Sequence, residues 1–253
     1  MHDRAAARRL AGEVTMRRAL IPALCGLAAA CASKPNKPVA KVDDSGLARL
    51  NEQQMQPVDD ARVEQGRAQD AVARARANEA DARARLEVAK TERGVADAQL
   101  KRSLAERDLL KKQYASPDQI AKADNDVQAA QERIKAADLK RAYLERMVQV
   151  AQTEVALAQA HLETAAAMVE QAKYRAMRAA DVPQAQSANA GEIDSHVAQA
   201  QLKEAQLRKQ AADLRSNAVD SYNKWQAMDA RVRTLARPES MPIPPPTSGE
   251  PTR

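Results

Sequence analysis

Apolar residues recur at alternating spacings of three and four along residues 116–182. Seventeen of the eighteen positions in this row are apolar, and only Arg141 interrupts it. The positions are Ile120, Ala123, Val127, Ala130, Ile134, Ala137, Arg141, Leu144, Val148, Ala151, Val155, Ala158, Leu162, Ala165, Val169, Ala172, Ala176 and Ala179. This spacing predicts one long helix with a coiled-coil seam. Because large residues alternate with alanine, we expect a partner helix to approach closely.

Two flanking segments carry the same spacing, and prolines separate the three. The first predicted helix covers residues 58–115 and the third covers residues 193–237. Pro117, Pro183 and Pro238 follow the three predicted helices, and proline in a helix interior costs about 3 kcal/mol. Residues 183–192 are therefore predicted to form a loop.

The junction between the first two predicted helices is short. Ser116 is predicted to cap the second helix, with Pro117 at its first position, Asp118 in its first turn and Gln119 completing a capping box. So short a connection between long amphipathic helices favours an antiparallel hairpin.

The second predicted helix carries another apolar stripe on a different face. Its members are Ala129, Ala136, Leu139, Tyr143, Val150, Leu157 and Ala160. A helix with two apolar stripes contacts two neighbours. The second neighbour is either the third helix, turning back, or a second copy of the protein, so a homo-oligomer is possible.

Composition supports an all-α fold. The 253 residues include no Phe and one Trp, and sustained strand-like alternation is missing. We therefore predict an elongated antiparallel coiled-coil hairpin of two long helices with a third helix. Residues 31–57 are predicted to be a flexible linker with a short helical turn near residues 47–55, and the first helix is predicted to start at Asp59 or Asp60. Residues 238–253 are predicted to be a disordered proline-rich tail.

Three arginines occupy seam positions, at Arg93, Arg107 and Arg141. In a hairpin turning near residue 116, Arg107 falls opposite Asp124 or Asp126. Arg141 falls opposite Glu92. We predict that these pairs set the register of the hairpin; the alternative is that the arginines extend to water without a partner.

The N-terminal region has the pattern of a secretory signal. Met16 begins a second possible N-terminus, so residues 1–15 are interpreted as a mis-assigned start. Arg17 and Arg18 precede a twelve-residue apolar stretch at 19–30, which is too short to span a bilayer and typical of a signal peptide.

The end of that stretch resembles the lipobox of bacterial lipoproteins, in which the signal is cut before a cysteine that is then lipidated. Residues 27–31 read Leu-Ala-Ala-Ala-Cys, with Ala28 where the family usually has Leu. The resemblance implies a lipid (palmitate) on Cys31 and attachment to a membrane. Ala32, rather than Asp, implies sorting to the outer membrane, facing the periplasm. The alternative is an ordinary cleaved signal followed by a chance cysteine.

No catalytic or cofactor-binding pattern was found. His161 and His196 lack neighbouring metal ligands, and Ser116 has no base at a recognisable spacing. The net charge of +6 is spread among interleaved charges apart from an excess in residues 1–30, with no basic run containing aromatics. We therefore expect no enzyme activity, no metal or other cofactor, and no nucleic-acid binding.

The predicted hairpin tip has one further resemblance. Leu109 and Ser116 match a Leu-to-Ser spacing found at the tip of the helical hairpins of periplasmic efflux-pump adaptors, although Ala105 stands where those proteins have Arg. This resemblance implies docking through the tip. The candidate docking residues are Leu109, Tyr114, Ser116, Pro117 and Asp118.

Together these patterns predict a coiled-coil lipoprotein that acts as a spacer or scaffold for other cell-envelope proteins. Two alternatives remain open. One is a periplasmic chaperone of the holdase type, and the other is a component of an envelope transport assembly that docks through the tip.

Overall fold

A computed structural model describes residues 41–236 of the chain. The predicted signal peptide, Cys31 and the proline-rich tail lie outside the described residues. Three α-helices make up most of this part: α1 at Glu52–Lys112, α2 at Pro117–Ala179 and α3 at Ala190–Ala236. Short 3₁₀ turns occupy Asp44–Arg49 and Pro183–Gln186, and no strand is present between residues 41 and 236.

The helices form the predicted all-α antiparallel arrangement, with α2 in the middle. α1 and α3 each pack against α2. At about 1.5 Å per residue, α1 and α2 are each roughly 90 Å long and α3 roughly 70 Å. α3 folds back onto the second apolar stripe of α2, so the second neighbour of α2 belongs to the same chain.

The first hairpin turn is built as predicted. Ser116 Oγ accepts a hydrogen bond from the backbone N–H of Gln119, and Gln119 Oε1 accepts one from the N–H of Ser116 at 3.0 Å. The capping box at Ser116 is confirmed. Such a cap stabilises a helix by about 1 kcal/mol, so α2 has a sharply defined start.

The start of α1 differs from the prediction. α1 begins at Glu52 rather than at Asp59 or Asp60 and continues through Pro57. A second capping box causes the difference, because Asn51 Oδ1 accepts from the N–H of Gln54 at 2.9 Å and Gln54 Oε1 accepts from the N–H of Asn51. This cap and the burial of Val58 outweigh the backbone hydrogen bond that Pro57 removes.

The prediction of a flexible linker up to residue 57 was therefore wrong for residues 42–57. The 3₁₀ turn at Asp44–Arg49 folds back against the end of α2, where its apolar side chains enter a small core. That core is made of Val42, Tyr174, Met177, Val182, Ala185 and Ile193, with Leu47 and Leu50 packed at its edge. The core joins the start of α1 to the α2–α3 turn.

The connection between α2 and α3, residues 180–189, has the predicted length of ten residues but lies three residues earlier in the chain. α2 ends at Ala179, and Asp181 has a left-handed backbone with φ of 52°. Val182 then turns inward, and α3 starts at Ala190, where Asn189 Oδ1 accepts a hydrogen bond from the N–H of Glu192. The asparagine thus begins the helix before the predicted Ile193.

Gly94 offers a simple test of α1. A Cβ added there would meet nothing within 4 Å, and the residue is exposed in the helix interior. We expect Gly94→Ala to raise the free energy of unfolding by about 1 kcal/mol, because alanine loses less backbone entropy in a helix. Urea denaturation followed by circular dichroism would measure the change.

Gly46→Ala is the matched control, because a Cβ at Gly46 would lie 2.9 Å from both Met177 Sδ and Val182 Cγ1. The same substitution should therefore lower stability at position 46. A loss of stability in Gly94→Ala as well would contradict the open, helical environment of residue 94.

Candidate functional site

The hairpin tip exposes a large aromatic side chain. Tyr114 is 95% exposed and has a left-handed backbone with φ of 53°, an uncommon conformation for a bulky residue. The N–H of Ala115 donates to the carbonyl of Leu110 at 3.1 Å, which closes the end of α1. Leu109 is 52% exposed one turn away. The tip is therefore a fixed turn that presents an aromatic and an aliphatic side chain to solvent.

The remaining predicted tip residues have structural roles at the start of α2. Ser116 is the cap, Pro117 is the first helical residue and Asp118 lies in the first turn, near the positive end of the helix dipole. All three are exposed. They position the tip, whereas Tyr114 and Leu109 supply its apolar surface.

The predicted ion pairs between α1 and α2 are partly present. Arg107 Nε lies 3.9 Å from Asp124 Oδ1, although its shorter contact is to Asp108 at 2.9 Å. Lys111 Nζ lies 3.7 Å from the same Asp124 oxygen. Asp126 is exposed and takes part in no ion pair among residues 41–236. Of the two predicted alternatives, the structure brings Asp124 to Arg107.

The predicted pairing of Arg141 with Glu92 was wrong. Glu92 pairs with Lys140, the residue before Arg141, and Arg141 Nε lies 3.5 Å from Glu145 on its own helix. Successive residues of an α-helix are rotated by about 100° around its axis, so adjacent side chains face different neighbours. Exposed pairs of this kind contribute about 0–1 kcal/mol each and influence register more than stability.

The structure gives Arg93 a partner on α2 that was not predicted from the sequence. Its Nε donates to Asp138 Oδ1 at 3.3 Å across the hairpin, and its Nη1 lies 4.0 Å from Asp97. The hydrogen bond that Asp97 accepts from Lys101, together with the positive charge of Lys101, lowers the pKa of Asp97. Two ion pairs therefore link the middles of α1 and α2, one between Arg93 and Asp138 and the other between Glu92 and Lys140.

A charged network fastens the N-terminal segment to α2. Lys173 Nζ lies 2.7 Å from Asp44 Oδ1 and 3.0 Å from Glu170 Oε1, and Glu170 Oε2 accepts a hydrogen bond from the N–H of Val42 at 2.8 Å. Burial lowers the pKa of Lys173, but its hydrogen bonds to Asp44 and Glu170 raise that pKa more strongly, so the net shift is upward. We call residues 42–50, together with the α2 residues they contact, the basal clasp.

Sequence analysis did not identify the basal clasp. The usable signals were the apolar residues Val42, Leu47 and Leu50 just before Asn51 and Gln54, which have capping-box spacing. These signals were overlooked because the same segment contains four residues typical of linkers, namely Pro35, Pro38, Gly46 and Pro57. Gly46 is in fact buried, because only a residue without Cβ lets the turn approach Met177 and Val182.

α2 and α3 meet through an aromatic cluster. Tyr143 stacks on Trp225 with ring centroids 5.9 Å apart, and Tyr222 contacts both rings at 5.3 and 5.6 Å. Lys140 Nζ lies 5.8 Å from the centre of the Trp225 ring. The rings contact one another, so they serve as an anchor between helices.

Nearby, Glu132 is a buried carboxylate. Its Oε1 accepts a hydrogen bond from Lys135 at 2.9 Å, and this bond lowers the pKa of Glu132 although burial acts in the opposite direction. Its Oε2 lies 3.9 Å from Arg231 Nε on α3.

His161 touches both outer helices but does not form a metal site. Its Nε2 lies 3.7 Å from Glu64 Oε1 on α1, and its Nδ1 lies 3.4 Å from Glu204 Oε1 on α3. The carboxylates are on opposite ring nitrogens, so they cannot bind one ion together with that imidazole. Across residues 41–236, no group of three or more potential ligands is placed to hold a metal.

A groove of about 590 Å³ lies between the start of α1 and the end of α2. Its walls include Pro57 and Ala61 on one side and Met168 and Ala172 on the other, with Arg175 at the rim. No nucleophile and base are paired among its lining residues. In the same described part of the chain, no helix has the length and apolar character needed to cross a membrane.

Comparison with known proteins identifies no matching family model, no matching curated protein and no matching solved structure. Functional inference therefore depends on the residues and geometry described above.

Proposed function

We propose that the chain is a lipid-anchored coiled-coil protein of the bacterial cell envelope that acts as a structural spacer or scaffold. In this proposal Cys31 carries the lipid, the anchor is in the outer membrane, and the helices face the periplasm. The observation that carries the proposal is the combination of a lipobox-like sequence with two long helices packed against a third, central helix.

The mechanism is geometric. The basal clasp and the hairpin tip lie at opposite ends of α2, so about 90 Å of helix separates them. Nine residues lie between Cys31 and Lys41, and the ten steps from one to the other span at most about 36 Å. An anchor at Cys31 would therefore hold the base close to the membrane while the tip reaches a site much farther away.

The first experiment tests the anchor. Cells expressing the full chain are labelled with an alkyne-bearing fatty acid, and the protein is examined for incorporated label and for membrane association. We expect Cys31→Ser to lose both, because the thiol that would carry the lipid is gone. Cys25→Ser is the matched control, since that cysteine lies within the predicted signal peptide and should not affect labelling.

Retention of the label in Cys31→Ser would disprove the lipoprotein proposal. A second variant, Ala32→Asp, tests sorting, because the family resemblance implies that Asp after the lipidated cysteine redirects the protein to the inner membrane. Fractionation that left Ala32→Asp in the outer membrane would remove the argument for outer-membrane sorting.

A second candidate function is docking to a transport assembly through the tip. The exposure and fixed backbone of Tyr114 favour it, because aromatic side chains are enriched at protein interfaces. A photoreactive side chain at position 114 should give one defined cross-linked envelope protein, and the product should disappear in Leu109→Ala. The same probe at Val219, which is 56% exposed on α3, is the control. Equal products from both probes would exclude specific docking through the tip.

A further inference from the structure

The surface of α1 opposite α2 carries a second row with coiled-coil spacing. Its positions are Ala77, Asp81, Ala84, Val88, Thr91, Val95, Ala98, Arg102, Ala105 and Leu109, and all ten are exposed. Val88, Val95 and Leu109 are 58%, 64% and 52% exposed. We call these ten residues the outer row of α1. Its spacing alternates between four and three, as in the seams that hold the helices of this chain together.

We propose that the outer row of α1 binds the outer row of a second copy of this chain, forming an antiparallel dimer with two-fold symmetry. The inference does not depend on the lipid or on Tyr114, although Leu109 belongs both to the outer row and to the hairpin tip. Three features of the outer row support it: its area, the complementary sizes of the side chains that face each other in one antiparallel register, and the opposite charges of Asp81 and Arg102.

The outer row is large enough for a stable interface. It extends over about 48 Å of helix and is about 10 Å wide, which gives a projected area of roughly 480 Å² per copy. Two copies together contribute roughly 960 Å², and the accessible area buried exceeds the projected area because side chains interdigitate. A biological interface is expected to bury at least about 1,000 Å² in total, and the outer row reaches this lower limit once the interdigitation of side chains is counted.

The row is complementary to itself when two copies run antiparallel. In the register whose paired residue numbers sum to 186, four of the five pairs place a larger side chain opposite alanine, and the central pair joins two β-branched side chains of similar size. The facing pairs are Ala77 with Leu109, Asp81 with Ala105, Ala84 with Arg102, Val88 with Ala98, and Thr91 with Val95. Large side chains opposite small ones fill an interface without voids or overlap.

The two charged members of the row also favour the antiparallel arrangement. Asp81 and Arg102 lie on opposite sides of the two-fold axis, so Arg102 of the second copy comes within one helical turn of Asp81 of the first. Within residues 41–236, Asp81 pairs with Arg85, and Arg102 takes part in no ion pair. A parallel dimer would instead place Asp81 on Asp81 and Arg102 on Arg102, and facing like charges are destabilising.

The exposed face of α3 is a poorer match. Leu202 and Val219 are exposed there, but Lys209 and Ser216 interrupt the row between them. Pairing of α1 with α1 also produces a closed dimer, whereas pairing of α1 with α3 of another copy would generate an open chain of molecules.

The dimer would have its two bases at opposite ends. Residue 93 lies at the two-fold axis, so the two Glu52 residues would be about 120 Å apart.

Cysteine cross-linking tests the dimer and its orientation in one experiment. The full chain is purified in mild detergent with Cys25→Ser and Cys31→Ser, and Ala77→Cys and Leu109→Cys are added in separate preparations. We expect an equal mixture of the two to form at least ten times more disulfide-linked dimer than either alone, because residues 77 and 109 face each other only across the two copies. Self-linking of Leu109→Cys alone to a similar extent would overturn the antiparallel arrangement.

A second mixture tests the register. Ala84→Cys mixed with Leu109→Cys should cross-link less than Ala77→Cys mixed with Leu109→Cys. More cross-linking of Ala84→Cys with Leu109→Cys would overturn the proposed register, because the partner helix would then be shifted by seven residues.

Sedimentation of the full chain tests the contacts without cross-linking. We expect Val95→Glu to weaken dimerisation by at least tenfold without loss of helix content, because residue 95 is exposed within one chain. Leu202→Glu is the matched control on α3 and should leave the dimer unchanged. Asp81→Arg should weaken the dimer, and adding Arg102→Asp should restore it.

A monomer at 50–100 µM would overturn the proposal, as would equal weakening by Val95→Glu and Leu202→Glu.

Discussion

Met177→Ala is expected to destabilise the protein by about 2–5 kcal/mol. Met177 is fully buried and occupies the centre of the core at the basal clasp. Truncation removes its buried methylene and thioether groups and leaves a cavity that α2, held in a long helix, cannot close. The free energy of unfolding from urea denaturation would measure the loss.

Met168→Ala is the matched control, because Met168 lies on the same helix but is 43% exposed. Its effect should stay near 0.5 kcal/mol, as for most surface substitutions. Equal losses in the two variants would show that the core at the basal clasp is not a packed unit.

Hydrogen exchange would locate the effect of Met177→Ala. The N–H of Val42 is bonded to Glu170, so its exchange reports whether the basal clasp is closed. We expect faster exchange at Val42 in Met177→Ala, whereas amides near Tyr143 in the middle of α2 should change less, because long helical assemblies open locally.

Ala160→Leu is the second substitution with a large expected effect. Ala160 is fully buried and belongs to the second stripe of α2, which α3 covers. Leucine adds three carbon atoms where alanine allows close helix packing, so we expect a loss of about 1–3 kcal/mol from overpacking. Denaturation followed by circular dichroism would measure it.

Ala121→Leu provides the comparison, because residue 121 is exposed near the start of α2. Leucine and alanine are both strong helix formers, so this variant should have nearly the stability of the natural protein. If Ala160→Leu were equally harmless, the interface between α2 and α3 would have to be looser than its burial indicates.

Much of the fold could be predicted because coiled-coil spacing is a local property of sequence. The row from Ile120 to Ala179 determines which face of α2 is buried, and Ser116 with Gln119 determines where α2 starts. The second stripe indicated a second neighbour of α2. Whether that neighbour belonged to the same chain depended on the loop after Asp181, whose backbone conformation the stripe does not specify.

The charge pairs show the limit of register arguments. Counting from the turn placed Arg107 opposite Asp124 or Asp126, of which Asp124 is the partner, but it assigned Glu92 to Arg141 rather than to Lys140. Neighbouring residues differ by about 100° around a helix, so a small error in the position of the turn selects the wrong side chain.

The basal clasp was missed for a different reason. Gly46 and Pro57 are typical of linkers when considered one at a time. Gly46 lies against Met177 and Val182, more than a hundred positions away, and Pro57 is held within α1 by the capping box before it. The groove beside α1 and the outer row of α1 likewise become surfaces only once α2 has been placed.

The basal clasp also determines how the protein would respond to mechanical tension applied through Lys41. Such a pull would first load the Val42–Glu170 hydrogen bond and the Lys173–Asp44 ion pair, both of which end on α2. The first turn of α1 would carry none of the tension until those two contacts broke. A tether attached to this end would therefore pull on the central helix, which both neighbouring helices support, instead of unwinding α1 from its end.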